Sequence, residues 1–255
     1  DDGIGDLNGI IQRLDYLKKL GIDILWLNPI YKSPNKDNGY DIADYESIQP
    51  TYGTMDDFDN LLKAIHGHGL KLMMDLVVNH TSNQHKWFQE SKKSKDNPYA
   101  DYYIWRDPVN GHEPNNWGSS FGGPAWTYVP ERGQYYLHLF APGQPDLNWE
   151  NPEVRQQVYQ IMRFWLDKGI DGFRMDVINM ISKPAGLPNA PKAKGELYAN
   201  YEPVVADGPR LNEFLQEMNR EVLSHYPKIV TVGEMPGSTP EDAISYTNLD
   251  GSELN

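Results

Sequence analysis

One unit, written four times, limits what this chain can fold into: an amphipathic helix, a break, then a short apolar strand. "LNGIIQRLDYLKKLG" leads into "IDILWLNP" (22–29), and "MDDFDNLLKAIHGHG" leads into "LKLMMDLVVNH" (70–80). "NPEVRQQVYQIMRFWLDKG" leads into "IDGFRMDVIN" (170–179), and "RLNEFLQEMNREVLSHYP" into "KIVTVGE" (228–234). Apolar residues recur three and four apart, as in Leu211, Phe214, Leu215, Met218 and Val222, which puts them on one helical stripe. Gly21, Gly69 and Gly169 stand where a helix end needs a left-handed residue, and Pro227 is expected to stop the fourth helix.

Helices alternating with strands imply parallel strands with crossover helices on the faces. The apolar run "LMMDLVV" suits a strand buried on both sides. A closed barrel and an open doubly wound sheet both satisfy that alternation, and the polar residues choose between them. Asn28, Asn79 with His80, Arg174 with Asp176, and Glu234 all fall at strand C-termini, where function collects in a (β/α)8 barrel. No Gly-rich phosphate loop follows any strand, which disfavours the dinucleotide-binding alternative. The predicted fold class is therefore α/β, a partial TIM barrel of about four central βα units.

Residues 81–149 break the repeat. They carry 14 of the chain's Trp, Tyr and Phe residues among scattered Gly, Pro and Asn, with no helical period. So long a connection is unlikely to lack structure of its own. We read it as a small aromatic-rich subdomain inserted over the barrel mouth, between a first barrel segment (1–80) and a second (150–255). Most of its rings are expected to form its own core; the others suit the apolar patches of sugar rings.

The net charge of −13 leaves no basic stripe for phosphates, so nucleic acid is excluded as a partner. Cysteine is absent, which rules out disulfides and thiolate metal sites and fits a reducing, cytoplasmic location. No apolar run is long enough to span a membrane. The abrupt start at "DDGIGDL" suggests a piece of a longer protein, expected to be a monomer when complete.

"GFRMDVIN" (172–179) sets two charges in a strand that otherwise reads as buried. Arg174 and Asp176, two apart, share one strand face. A guanidinium beside a carboxylate is expected to lower its pKa and hold it ionised, which makes Asp176 a candidate nucleophile. Glu234 ends the next strand; burial and the neighbouring anion can raise its pKa and make it a proton donor. Two carboxyls with divided roles are the minimal equipment of a glycosidase.

At this point the sequence resembles the α-amylase family, glycoside hydrolase family 13, and within it the oligo-1,6-glucosidase and α-glucosidase group. "DLVVNH" (75–80), "GFRMDVIN" (172–179) and "GEMPG" (233–237) are similar to three of its core motifs. "QPDLNWENP" (144–152) resembles an accessory motif near the end of its inserted domain. The resemblance implies Asp176 as nucleophile, Glu234 as general acid/base, Arg174 as the orienting arginine and His80 as a hydrogen-bond partner of the nonreducing glucose. It implies Asp37 as the carboxylate gripping that glucose, Tyr40 as its stacking platform, and Phe121, Phe140 and Gln144 as walls. The family reaction retains configuration, for which the carboxyls stand roughly 5–5.5 Å apart.

"DDGIGD" looks like the tail of the group's metal loop, so the resemblance also implies structural Ca²⁺ held by Asp2, the Ile4 carbonyl and Asp6. An acidic turn capping the next helix is the alternative. Val177, directly after the nucleophile, resembles enzymes that cleave α-1,6 links; a wall differing by about a methyl discriminates by about 1–3 kcal/mol. No match to the family's fourth motif follows Glu234, and the first strand and last three strands are missing. The piece alone is therefore expected to be poorly stable and inactive.

The function expected is a retaining, exo-acting α-glucosidase on terminal α-1,6-linked glucose of short oligosaccharides, with α-1,4 links as a further candidate. Maltase, dextran glucosidase, trehalose-6-phosphate hydrolase and sucrose isomerase are alternatives within the family. A non-catalytic, glycosidase-like subunit of an amino-acid transporter is the alternative from another class.

Overall fold

The computed structural model describes residues 3–247 and 252–254. Four parallel strands form its central sheet: β1 (Ile24–Leu27), β2 (Lys71–Val77), β3 (Gly172–Asp176) and β4 (Val230–Gly233). They lie side by side in chain order, β1-β2-β3-β4. A doubly wound sheet reverses its strand order at a switch point; a barrel adds each strand on the same side. This sheet never reverses, and it is a sector of a barrel.

The helices follow the expected repeat with two differences. The first stretch is not one helix but two, α1 (Leu7–Ile11) and α2 (Leu14–Lys19), parted where Arg13 takes φ −111° and ψ 1°. Asn8 and Gly9, both weak helix formers, leave α1 only one turn long. Helices α3 (Met55–Gly67) and α4 (Pro152–Lys168) match the pattern; Thr54 and Asp57 form a capping box on α3, and Asn151 caps α4. Helix α5 (Leu211–Glu221) stops six residues before Pro227, because Val222 leaves helical geometry at φ −131° and a 3-10 turn, Leu223–His225, follows. Proline therefore does not end this helix.

The packing explains the pattern. Leu211, Phe214, Leu215 and Met218 are buried against the sheet. On α4, Trp165 is fully buried, with its ring edge against Phe58 and Tyr31 and its indole N–H donating to the Tyr45 carbonyl at 2.9 Å. Gly169 closes α4 at φ +103°, a left-handed cap that costs little without a side chain. Gly172 is compulsory for another reason: a Cβ there would stand 1.8 Å from the Val230 carbonyl oxygen.

The two faces of the sheet differ. Outward residues such as Leu72, Met74 and Phe173 are buried under the helices. Inward residues on the edge strands are open, with Trp26 48% and Val232 49% exposed. The barrel interior is thus uncovered at both edges of the described sheet.

The segment 81–149 holds a three-stranded antiparallel sheet of Trp105–Arg106, Gln134–Leu137 and Trp126–Val129, with the helix Lys86–Ser91 beside it. Nine of its fourteen aromatics are buried, so most are core and few are left for a ligand. Its packing also recruits the connection after β3. Leu187, Ala190, Ala199, Tyr201 and Val205 join Trp117, Trp126 and Leu139 in one apolar cluster, and Trp117 bridges Ala199.

Candidate active site

The strand register brings the charges together. Asp75 on β2 is the direct partner of Arg174 on β3, and Val77 of Asp176. Arg174 then reaches three carboxyls. Its Nη1 donates to Asp75 Oδ1 at 3.0 Å and to Asp176 Oδ1 at 2.6 Å, and its Nη2 meets Glu234 Oε2 at 2.8 Å. Both candidate catalytic acids are therefore held on one guanidinium. Glu234 also accepts the Val177 amide at 3.1 Å, while its own amide extends the β3–β4 ladder to the Met175 carbonyl.

Asp75 was not among the expected site residues, yet it organises the cluster. It is fully buried and accepts hydrogen bonds from Tyr40 Oη (3.0 Å) and Trp26 Nε1 (3.2 Å) besides Arg174. Its signal in the sequence was a lone aspartate inside "LMMDLVV", a charge that a doubly buried strand carries only when something pairs it.

The electrostatics correct the expectation for Asp176. Its carboxyl is pushed up to about 7, chiefly by burial and then by the Asp75 anion, with Arg174 opposing. The guanidinium lowers it, but burial and the Asp75 anion outweigh that pull. Arg174 is the converse: burial works against its charge, and Asp75 with Asp176 more than offset that, so its pKa is raised. Glu234 differs from the expectation in another way: its side chain, directly after the open edge strand β4, is 43% exposed rather than buried.

A cavity of about 310 Å³ opens above these groups, lined by Asp37, Tyr40, His80, Phe121, Phe140, Arg174, Asp176, Val177 and Glu234. A larger hollow of about 650 Å³, lined by Leu7, Ile10, Leu17 and Leu27 among others, lies by the β1 edge and has no paired acids. Nine of the ten residues expected for catalysis and substrate binding thus share one cavity. The tenth, Gln144, stands behind the wall rather than in it: buried, it donates to Asp37 Oδ2 at 2.8 Å and sits 3.2 Å from His80 Nε2. Tyr40 presents its ring beside Arg174 with its hydroxyl anchored on Asp75, and Phe121 stands exposed at the rim beside Phe140. Val177 holds an unusual backbone for a β-branched residue, φ +36° and ψ 42°.

The expected metal ligands fare differently. Asp2 lies outside the described residues. Asp6 is the N-cap of α1, its Oδ1 accepting the Gly9 amide at 2.6 Å, and the Ile4 side chain is exposed. Among the described residues no group of three or more His, Asp or Glu is placed to hold a metal ion. Asp6 thus serves as a helix cap among the described residues.

The chain is a barrel sector with strand-end carboxyls gathered under an aromatic-walled pocket. The chain belongs to the alpha-amylase family: the model of the alpha amylase catalytic domain matches residues 1–255. It is 62% identical over 254 residues to an oligo-1,6-glucosidase of Parageobacillus thermoglucosidasius, spanning 100% of this chain and 45% of that protein. It is 58% identical to a trehalose-6-phosphate hydrolase of Bacillus subtilis (strain 168), over 99% of this chain and 44% of that one. Among solved structures, the isomaltulose synthase of Protaminobacter rubrum superposes with a TM-score of 0.95 at 51% identity, covering 100% of this chain and 45% of the other. The chain spans about half the length of the curated relatives it matches.

Proposed function

We propose that this chain carries the reacting half of a retaining, exo-acting α-glucosidase that removes terminal α-1,6-linked, and secondarily α-1,4-linked, glucose from short oligosaccharides. The observation that carries the reading is the single Arg174 guanidinium binding both Asp176 and Glu234 beneath a pocket of about 310 Å³. That arrangement supports a pair of acids acting across one sugar linkage.

In the reaction, Glu234 gives its proton to the leaving glycosidic oxygen while an Asp176 oxygen bonds the anomeric carbon and the linkage breaks. Water then attacks the glycosyl–Asp176 ester, Glu234 takes its proton, and Asp176 leaves as carboxylate. His80, Asp37 and Tyr40 hold the terminal glucose, and the chain-end specificity follows from a pocket walled by Phe140 and Phe121.

The α-1,6 preference rests on Val177 and on the names of relatives. Trehalose-6-phosphate hydrolase activity is disfavoured because Arg174, the one cation lining the pocket among the described residues, already serves three carboxyls. We take the complete protein to be a monomer and place it in the cytoplasm, the second reading supported by the absence of cysteine from these 255 residues. Among the described residues no helix is long and apolar enough to cross a membrane. Initial rates of the intact protein on isomaltose, maltose, trehalose 6-phosphate and sucrose test the reading. Isomaltose is expected to be hydrolysed fastest with α-glucose as first product; β-glucose, or no glucose from any of the four, would overturn it.

A further inference from the structure

Beneath the pocket lies a buried cation that no step above uses. Lys183, on the connection after β3, is buried, and its ammonium donates to Asn79 Oδ1 at 2.6 Å and meets Asp146 Oδ2 at 2.7 Å. Asp146 belongs to the inserted subdomain, where its Oδ1 accepts the Leu139 amide at 3.0 Å. Asn79 follows β2 and directly precedes His80. Three separate parts of the chain therefore meet on one Nζ.

The donor and acceptor pattern runs on from there. An ammonium only donates, so the Asn79 end facing it is the carbonyl oxygen. Its NH2 end then faces Asp146 Oδ2 at 3.2 Å and His80 Nδ1 at 3.2 Å. A nitrogen that meets an NH2 donor accepts. His80 Nε2 meets the Tyr40 carbonyl at 3.1 Å, an acceptor. Gln144 Nε2, 3.2 Å from the same nitrogen, has its hydrogens directed to Asp37 and the Tyr40 carbonyl. A neutral imidazole has one proton; the Asn79 amide at Nδ1 and the Tyr40 carbonyl at Nε2 both assign it to Nε2.

We propose that Lys183 is a positioning residue for His80: clamped between Asp146 and Asn79, it turns the Asn79 amide so that the imidazole keeps its proton on Nε2, as a neutral donor at the pocket wall. The assignment of that donor to substrate rests on the function proposed above; the positioning itself does not. The charges facing His80 are Asp146 and Lys183 from below and Asp37 from the pocket side, with the Phe140 ring across it. Burial pulls His80 below its ordinary pKa, Asp146 and Asp37 raise it, and Lys183 lowers it. Lysine thus adds to burial in holding the histidine neutral against the Asp146 anion.

Nitrogen-15 NMR of the intact, histidine-labelled protein tests this. In the wild type, His80 is expected to show the neutral Nε2–H tautomer throughout pH 6 to 8. In Lys183→Met, Asp146 is uncompensated, and the His80 titration midpoint is expected to rise by about one pH unit, with kcat/KM falling about tenfold at the acid end as the neutral donor is lost. The Lys183→Met/Asp146→Asn double variant, which buries no unpaired charge, is expected to bring the midpoint back down. A wild-type Nδ1–H signal, or a double variant whose midpoint stays as high as the single's, would overturn the proposal, and the first needs no variant to fold. The expected tautomer without hydrolysis of any glucoside would count against the function and leave the positioning role standing.

Discussion

Asp75 and Arg174 are direct partners across the β2–β3 ladder, and the buried carboxylate sits 3.0 Å from the guanidinium that holds both candidate catalytic acids. Asp75 does two opposed things to Asp176. It anchors Arg174, which favours the ionised nucleophile, and as a second anion it disfavours that same ionisation.

Replacing Asp75 by Asn separates these effects. The acid limb of the kcat/KM–pH profile is set by Asp176 and expected near pH 7; it moves to lower pH when the neighbouring anion is gone. The rate at optimum falls by about 10²-fold as Arg174 loses its anchor. A profile whose acid limb stays put would remove Asp75 from this account.

A stability measurement reads the same group. Asp176 has a folded pKa of about 7 against an ordinary 3.8, so between those values the native state binds a proton that the unfolded chain releases. The associated stability is complete below about pH 4 and is lost as pH rises through 7. Asp176→Asn escapes that loss, so its melting temperature should exceed the wild type's more at pH 8 than at pH 5. Equal differences at both pH values would contradict the shift.

Glu234→Gln removes the proposed proton donor, and with it an anion beside Asp176. Turnover of isomaltose is expected to drop by about 10²–10⁴-fold, whereas an aryl glucoside whose leaving group needs no proton keeps its first step. A burst of phenolate followed by slow turnover is the signature, seen by stopped-flow absorbance.

Gly172→Ala is expected to prevent folding of the sheet, since its Cβ would meet the Val230 carbonyl at 1.8 Å. Circular dichroism of the purified variant checks this. A native-like melt would mean that β3 and β4 can part more easily than their register suggests.

Among the described residues of 1–255, the inward faces at Trp26 and Val232 are open and both edges of the four-stranded sheet lack a neighbouring strand, which bears on the piece expressed alone. The expected behaviour is a broad, low melting transition with self-association, and no hydrolysis of aryl α-glucosides. A sharply melting monomer on analytical ultracentrifugation would show that the sector stands by itself.

Much of this was legible in the letters. Helix stripes such as Leu211 to Met218 and glycine caps such as Gly169 are local signals, and the structure follows them. Strand-end charges located the mouth because buried charge needs a use. What could not be read depended on neighbours distant in sequence. Asp75 needed the β2–β3 register to become Arg174's partner, and the raised pKa of Asp176 needed Asp75. Gln144 lies behind the pocket wall because Asp37 and His80 stand in front of it, and no spacing rule contains that order. Likewise the early end of α5 follows from Val222's backbone rather than from the proline downstream.

The ladder that pairs Asp75 with Arg174 also pairs Val77 with Asp176, so spatial registration and reactivity are a single variable here. Because alternate side chains point to opposite faces, a slip by one residue would swing the acids into the helix layer. A slipped register would therefore dismantle the Arg174 cluster as a whole rather than displace one of its members.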